Sequence, residues 1–403
     1  MKVCKLTDVL HALESGARPK GGVSFESGEI PSIGGEHLDS NGGFKLDNLK
    51  RVPEVFFESM RSGRIDSRNI LVVKDGATTG KTSFVGRDFP FKKAAVNEHV
   101  FCLKVNETKA FPEYVFHFLR SDIGQASIMM DFRGATVGGI SRQFSDKTLL
   151  PLPPLSEQKR IAEILDRAEA LRSKRRAALA LLDELTQSIF LDMFGDPSQR
   201  IASGRIEFGS VVDEFRYGTS NKSGSNGFPA LRIPNVIGAS IDLTDLKLVQ
   251  VDDAEFSRLR LLHGDLLFVR TNGNPDNVGR CAVFEENLIA DSGCDPKEFI
   301  YASYLIRARL KSSVMPVFIR ELMLTFEGRK NARAAAKTSA GQYNINTQGL
   351  GSLPIFVPPI DLQRIFVDRV QVVNGLKAVL VKSQSELDQL FASLQHRAFR
   401  GEL

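Results

Sequence analysis

A stretch near the middle of the chain recurs at its end, and each copy opens a long helix. Leu152-Pro153-Pro154-Leu155-Ser156-Glu157-Gln158-Lys159 begins one run of mixed polar and apolar residues, and Val357-Pro358-Pro359-Ile360-Asp361-Leu362-Gln363-Arg364 begins another. Proline cannot continue a helix from inside it but suits the entry to one, so each Pro-Pro pair reads as a stop before a new helix. Ser156 and Asp361 stand where N-caps are expected. Both runs keep a seven-residue apolar repeat. In the first, Ile164, Leu171, Ala178 and Leu185 form one row, with Ile161, Ala168, Leu182 and Ile189 in a companion row that Arg175 interrupts. In the second, Phe366, Val373, Leu380, Leu387 and Leu394 hold one row without a break. Val370, Phe391 and Ala398 share the other with Lys377 and Gln384. A period of seven keeps a narrow apolar stripe facing a partner, which is what a coiled-coil seam requires. Each helix is expected to span roughly 38 residues, about 57 Å at 1.5 Å per residue. The alternative is two core helices of one large domain. Densely charged remaining faces (Arg172, Lys174, Arg175, Arg176, Asp183, Glu184 in the first) speak against it, and the simplest partner for each helix is the other.

The segments between the helices also correspond. Asn69 to Gly76 (NILVVKDG) parallels Asp265 to Asn272 (DLLFVRTN), each an apolar run that ends in a polar loop, as a buried strand followed by a turn would. Gly80-Lys81 and Gly279-Arg280 follow, then another strand-like run, and a short strand precedes each Pro-Pro (149–152 and 353–356). The expected organisation is an α/β domain at 1–152, a helix at 153–197, a second α/β domain at 198–357 and a second helix at 358–403. At 403 residues the chain is long enough for two domains that each bury a core.

Composition excludes several classes. With 42% hydrophobic and 25% charged residues the chain reads as globular. No run of about 18 apolar residues occurs, and the start, MKVCKLTDVLHALESG, lacks a signal-peptide layout, so a cytoplasmic protein without a membrane partner is expected. Asn106-Glu107-Thr108 spells a glycosylation acceptor, a chance match without secretion. Cys4, Cys102, Cys281 and Cys294 are scattered without CxxC pairing, which argues against a disulfide framework or a zinc site. A net charge of +5 leans towards a polyanionic partner without proving one.

LPLPPLSEQKRIAEILD at 150–166, FLDMFGDP at 190–197 and AFRGEL at 398–403 resemble the conserved regions of type I restriction–modification specificity subunits. The resemblance runs the length of the chain, with both repeats in the expected places. It implies an α/β (α+β) fold of two target-recognition domains with mixed β-sheets, joined by two long antiparallel coiled-coil helices in an internal twofold repeat. It further implies that each domain reads one half of a bipartite site in double-stranded DNA, and that the chain docks two modification (methyltransferase) subunits, with restriction–translocation subunits joining them. On that reading the chain is not itself an enzyme. S-adenosylmethionine, ATP and magnesium belong to the partners, and no cofactor or metal is expected here. One departure stands out: Asp361-Leu362-Gln363 lacks the Glu that precedes Gln in the family pattern and in the first repeat, which weakens a capping or docking role for that position.

Residue chemistry agrees on what is absent. Gly76-Ala77-Thr78-Thr79-Gly80-Lys81-Thr82 mimics a phosphate-cradling loop, but three residues separate its glycines where four are needed, and Asp75 precedes it. A tight turn whose backbone N–H groups, Thr78, Thr79 and Lys81 approach a DNA phosphate is the better reading, beside a plain solvated hairpin. No Asn/Asp-Pro-Pro-aromatic loop suited to a flipped base is present, since the Pro-Pro pairs are flanked by Leu152 and Leu155 and by Val357 and Ile360. No paired-carboxylate nuclease signature emerges, and the six histidines are isolated.

Base reading calls for Arg or Lys against guanine and Asn or Gln against adenine. Glycine-rich stretches of the first domain offer Glu36 and His37, then Arg133, Thr136, Arg142 and Gln143. The second offers Arg232 and Asn235, then Arg270, Asn272, Asn274, Asn277 and Arg280, then Arg329, Lys330, Arg333, Lys337, Gln342 and Asn344. The closely spaced cations at 329–337 suit phosphate neutralisation better than base reading. The mechanism expected is two readers on a ruler, the helices setting the separation and phase of the half-sites. Two rivals stay open: a coiled-coil scaffold that does not read DNA, and a nucleotide-binding enzyme using 76–82.

Overall fold

The computed structural model describes residues 2–19, 28–134, 138–339 and 341–403. Two compact units emerge, one formed by 1–177 with 381–403 and the other by 178–380. They do not follow the linear segmentation expected from the Pro and Gly breakers, because each long helix contributes one half to each unit.

In the first unit an antiparallel sheet runs in the order 10–15, 100–105, 70–73, 82–84. Its strand Ile70-Leu71-Val72-Val73 is buried throughout, and the two-residue period of a strand sends its side chains into two different cores. Ile70 and Val72 join Phe101, Leu103, Tyr114 and Phe118, while Leu71 and Val73 join Ile33, Val85 and Val96. A mixed three-stranded sheet holds 30–33 between an antiparallel neighbour, 50–52, and a parallel one, 95–96. Strands 3–5 and 149–151 make a separate pair.

The second unit repeats this plan. The antiparallel order is 212–217, 305–310, 266–269, 281–283. Leu266 and Phe268 face one core, and Leu267 and Val269 the other. In its mixed sheet, 228–231 lies antiparallel to 247–249 and parallel to 300–301. Strands 206–207 and 354–355 form the matching separate pair.

After the second sheet strand, each unit carries two helices divided by a hydroxyl cap. Pro112–Arg120 gives way to Asp122–Met129 at Ser121, whose Oγ accepts the Gly124 N–H at 3.2 Å. Pro316–Leu324 gives way to Phe326–Ala335 at Thr325, whose Oγ1 accepts the Gly328 N–H at 3.1 Å. Glycine is required at both acceptor turns: a Cβ would stand 1.9 Å from the Phe118 carbonyl oxygen or 2.2 Å from that of Leu322.

The long helices are Leu155–Phe194 and Ile360–Arg400. Both start one residue earlier than the expected caps, so Ser156 and Asp361 lie inside the first turn. Pro154 and Pro359 take the preceding position, their carbonyls accepting the Gln158 and Gln363 N–H groups at 3.0 and 3.2 Å. The glutamines then do most of the anchoring. Gln158 is 1% exposed; its Oε1 accepts the Phe111 N–H at 2.9 Å and its Nε2 donates to the Pro153 carbonyl at 2.8 Å. Gln363, 0% exposed, accepts the Met315 N–H and donates to the Pro358 carbonyl, both at 2.8 Å. Each glutamine thus ties a long helix to the start of the helix that follows the sheet. The residue before it takes no part in these bonds: Glu157 pairs with Arg160 at the surface, and Leu362 stands in its place in the second copy. Gly195, at φ +76°, ends the first long helix, and Asp196 caps Pro197–Gly204 by accepting the Ser198 N–H at 2.8 Å.

Within each unit the helix halves run antiparallel. In the first, Arg160 donates to the Leu403 carbonyl, and Arg172 pairs with Asp388 at 2.6 Å and lies over the Phe391 ring. In the second, Asp183 pairs with Lys377 at 2.7 Å, and Phe190 meets Phe366. On the second helix the covered residues are those expected: Phe366 and Val373 are buried, Leu380, Leu387 and Leu394 half-buried. The first helix needs a correction. Leu171 and Leu185 are exposed and Ile164 is half-buried. The covered rows are the companion row, with Leu182 half-buried in it, and a row through Leu165, Arg172, Thr186 and Met193. Polar members are tolerated in that row because they are satisfied: Arg172 also pairs with Glu169, and the Thr186 hydroxyl donates to the Leu182 carbonyl. Among the described residues, no helix is long and apolar enough to cross a membrane.

Candidate nucleic-acid interface

In the first unit the candidate stretches 34–38, 74–81 and 131–134 with 138–143 converge at one edge. Asp75 bridges Gly139, the Gly76 N–H donates to the Gly138 carbonyl at 3.0 Å, and the Ile140 N–H to the Lys74 carbonyl at 2.8 Å. Lys81 reaches across to the Leu38 carbonyl at 3.2 Å. The phosphate-loop mimic is a hairpin turn followed by the strand Thr82–Phe84, and not by the helix that a phosphate-cradling loop leads into. Gly76 and Gly80, at φ +90° and +85°, make that turn. Thr78 is exposed, and the Thr79 hydroxyl is spent on the Gly76 carbonyl. Arg133, Arg142, Gln143 and Glu36 are exposed. His37 is not: it is buried, and its Nδ1 accepts the Gly34 N–H at 2.9 Å, which shapes the loop and leaves no ring edge for a base. Thr136 lies outside the described residues.

Beneath this edge sits an anchor that sequence reading missed. Asp131 is buried; its Oδ2 accepts the Ser141 N–H and hydroxyl at 2.8 and 2.7 Å, and its Oδ1 meets the Lys147 ammonium. Burial alone would raise this carboxyl, but the Lys147 and Ser141 hydrogen bonds outweigh it and hold the pKa at about 2. Gln125, also missed, donates to the Gly80 carbonyl at 3.0 Å and fastens the turn to the helix Asp122–Met129.

The second unit assembles 232–237, 270–280 and 333–339 with 341–344 in the same way. Thr271 and Asn272 pair with Asn344 and Tyr343, which pair in turn with 337–339, giving a three-stranded sheet. Arg280 donates to the Ile237 carbonyl at 3.3 Å and joins the first stretch to the second. Several candidates prove to be structural. Asn235 is buried, its Oδ1 accepting the Arg232 N–H at 2.9 Å in the role His37 fills in the first unit. Arg232 pairs with Asp245 at 2.7 Å. Arg329 donates to the carbonyls of Asp276 and Val278, so it leaves the proposed phosphate clamp and does the work Gln125 does in the other unit. Lys330 pairs with Glu327, and Arg333 with Asp276, both from exposed positions. Asn272 accepts the Asn274 N–H and the Asn277 amide, Asn274 accepts the Asp276 N–H, and the Thr271 hydroxyl donates to Gln342. Arg270 stacks over Tyr217 and donates to the Ser303 carbonyl. Lys337 is exposed, and Asn344 is half-buried with its amide on the Gln342 carbonyl.

A family model for the type I restriction modification DNA specificity domain matches residues 1–180. The EcoKI specificity subunit of Escherichia coli (strain K12) is 26% identical over 93% of this chain and 82% of its own length. The StySPI specificity subunit of Salmonella potsdam shows the same identity and coverage. Over most of its length the chain is similar to type I restriction–modification specificity subunits. The crystal structure of the S subunit from M. genitalium shares the fold, at 14% identity and a TM-score of 0.56 over 99% of this chain and 96% of that one. As in the fold expected for such a subunit, two α/β units share a pair of antiparallel helices. Elsewhere in the chain, burial pushes the Cys102 and Cys281 thiols up to about 12, so both stay protonated at neutral pH.

Proposed function

We propose that this chain reads a bipartite DNA sequence for a type I restriction–modification assembly, one half-site at the three-stretch edge of each unit. The long helices set the distance between the halves and carry the modification subunits, which restriction–translocation subunits join. Chemistry resides in those partners: S-adenosylmethionine, ATP and magnesium act there, and this chain contributes recognition. The observation that supports this most is the duplicated edge. Two copies of one scaffold bring the same three stretches together, and the same glutamine bonds tie each copy to the start of a long helix. A scaffold that only joined proteins would have no use for two such edges rich in exposed Arg, Lys, Thr and Gln.

The test is a map of methylated bases in a host carrying this chain with its modification partner, against the same host lacking this chain alone. A bipartite motif that disappears on deletion supports the reading. Methylation that persists unchanged, with the partner active, rejects it in favour of the scaffold. Adding or removing one heptad in both helices is expected to change the spacer between the half-sites and leave their sequences alone, since about 34 Å of DNA makes one turn.

A further inference from the structure

Embedded in the polar edge of the first unit are three exposed apolar side chains. Met129, Met130 and Phe132 are 39%, 67% and 40% exposed, where the chain leaves the helix Asp122–Met129. Two of them, Phe132 and Met129, are placed by contacts with the edge itself, and Met130 lies between them in the chain. The Phe132 ring lies against Gly138, whose carbonyl accepts the Gly76 N–H, and no Cβ would fit there, since it would stand 2.0 Å from the ring. The Met129 sulfur lies beside Gly80, 3.5 Å from where a Cβ would be. Arg133 and Arg142, both further along the same edge stretch, are exposed. At the corresponding places after Thr325 the second unit has Arg333, Ala334 and Ala336 instead.

A small apolar cluster among cations suits a polyanion that itself offers an apolar group. On the major-groove edge of B-DNA that group is the thymine C5-methyl. Resting on the DNA reading above, we propose that Met130 and Phe132 read a thymine methyl in the half-site of the first unit. Arg133 and Arg142 neutralise neighbouring phosphates. The methyl is desolvated between the methionine thioether and the ring, and no equivalent contact forms in the other half-site.

Replacing thymine by deoxyuridine deletes this methyl and leaves every hydrogen-bonding group in place. The chain in complex with its modification subunits is titrated, at one salt concentration, against duplexes carrying the mapped site with single thymines replaced in either half. Burying one methyl is worth about a fourfold change in affinity. The expected result is a loss of about that size at one or two thymines, all in one half-site. Met130→Ala, Met130→Gln and Phe132→Ala are expected to bind the thymine and uracil duplexes alike. Met130 is mostly exposed, so its two variants should keep the thermal unfolding of the parent. Uracil tolerated at every thymine overturns the proposal, and this is what an apolar wedge in the minor groove would give. A uracil penalty that persists in all three variants overturns it too, as does a first-unit half-site without an A·T pair, that half being the one altered when residues 20–150 are exchanged. A complex that prefers its site over a scrambled duplex while ignoring uracil leaves the DNA reading standing. One with no preference for the site removes both.

Discussion

The two units are most alike where the backbone needs a partner and least alike where a ligand would lie. Gln158 and Gln363 make the same two bonds, and Ser121 and Thr325 cap the same turn. At the first loop the bond persists although the residue differs, His37 in one copy and Asn235 in the other, each accepting an N–H three residues earlier. The edges diverge. The first unit pins its last stretch from below with Asp131, Ser141 and Lys147, whereas the second builds a hairpin from 337–339 and 342–344. Where the first presents Met129 and Phe132, the second presents Arg333 and Ala336. The comparison separates what the scaffold requires from what recognition is free to vary: a buried backbone group tolerates any side chain that supplies its bond, and an exposed edge has no such demand.

The strongest test of that equivalence is the glutamine pair. Removing either side chain leaves a half-buried N–H and a half-buried carbonyl without this partner. Gln158→Ala and Gln363→Ala are each expected to cost about 2–4 kcal/mol, by the usual cost of leaving such groups unsatisfied. Denaturant unfolding of the full chain measures both. A large loss at one position and a negligible one at the other would break the parallel between the units.

A smaller effect tests their difference. Asp131→Asn removes an anchor that the second unit lacks, at a cost of about 1–2 kcal/mol, since the ion pair lies just beneath the surface and water screens it in part. The folded carboxyl titrates at about 2 against 3.8 for the free group. Its contribution is therefore complete above pH 3.8 and lost as pH falls towards 2. The stability gap between parent and variant should be constant near neutrality and shrink only in that acid window. A gap that already changes between pH 5 and 7 would assign the effect to another group. Smaller still are the single phosphate contacts expected at Arg133 and Lys337, which occupy matching places on the two scaffolds. Replacing either by Ala should weaken DNA binding about equally for all sequences and lower the salt dependence by about one ion. A change in half-site preference at either residue would make it a base reader.

Much of the fold was legible because the repeat carries its own punctuation: Pro-Pro before each long helix, apolar four-residue strands, and glycine in each following turn. The convergence of three distant stretches was not, since it depends on backbone bonds such as Gly76 to Gly138 that no side-chain pattern announces. The site was misread where a residue type suited to base contact was needed for the loop instead. His37, Asn235 and Arg329 have the right chemistry for a base, but buried loop backbone and carbonyls claim it first.

The smallest expected effect decides which stripe of the first helix is the seam. Apolar identity pointed to Leu171 and Leu185, yet both are exposed, and the covered row runs through Arg172 and Thr186. A partner-facing stripe and a solvent-facing stripe of leucines look the same in a heptad count, because the count records period and not phase. Satisfied polar groups tip the phase here: Arg172 is paired with Glu169 and Asp388 and stacked on Phe391, which together compensate its desolvation. Leu171→Ala and Leu185→Ala should each change the stability of the isolated chain by less than about 0.5 kcal/mol, as exposed substitutions do. Phe366→Ala, in the covered row of the other helix, should cost about 3–5 kcal/mol. Losses at Leu171 and Leu185 comparable to that at Phe366 would restore the apolar row as the seam of the first helix and make an apolar seam the rule for both.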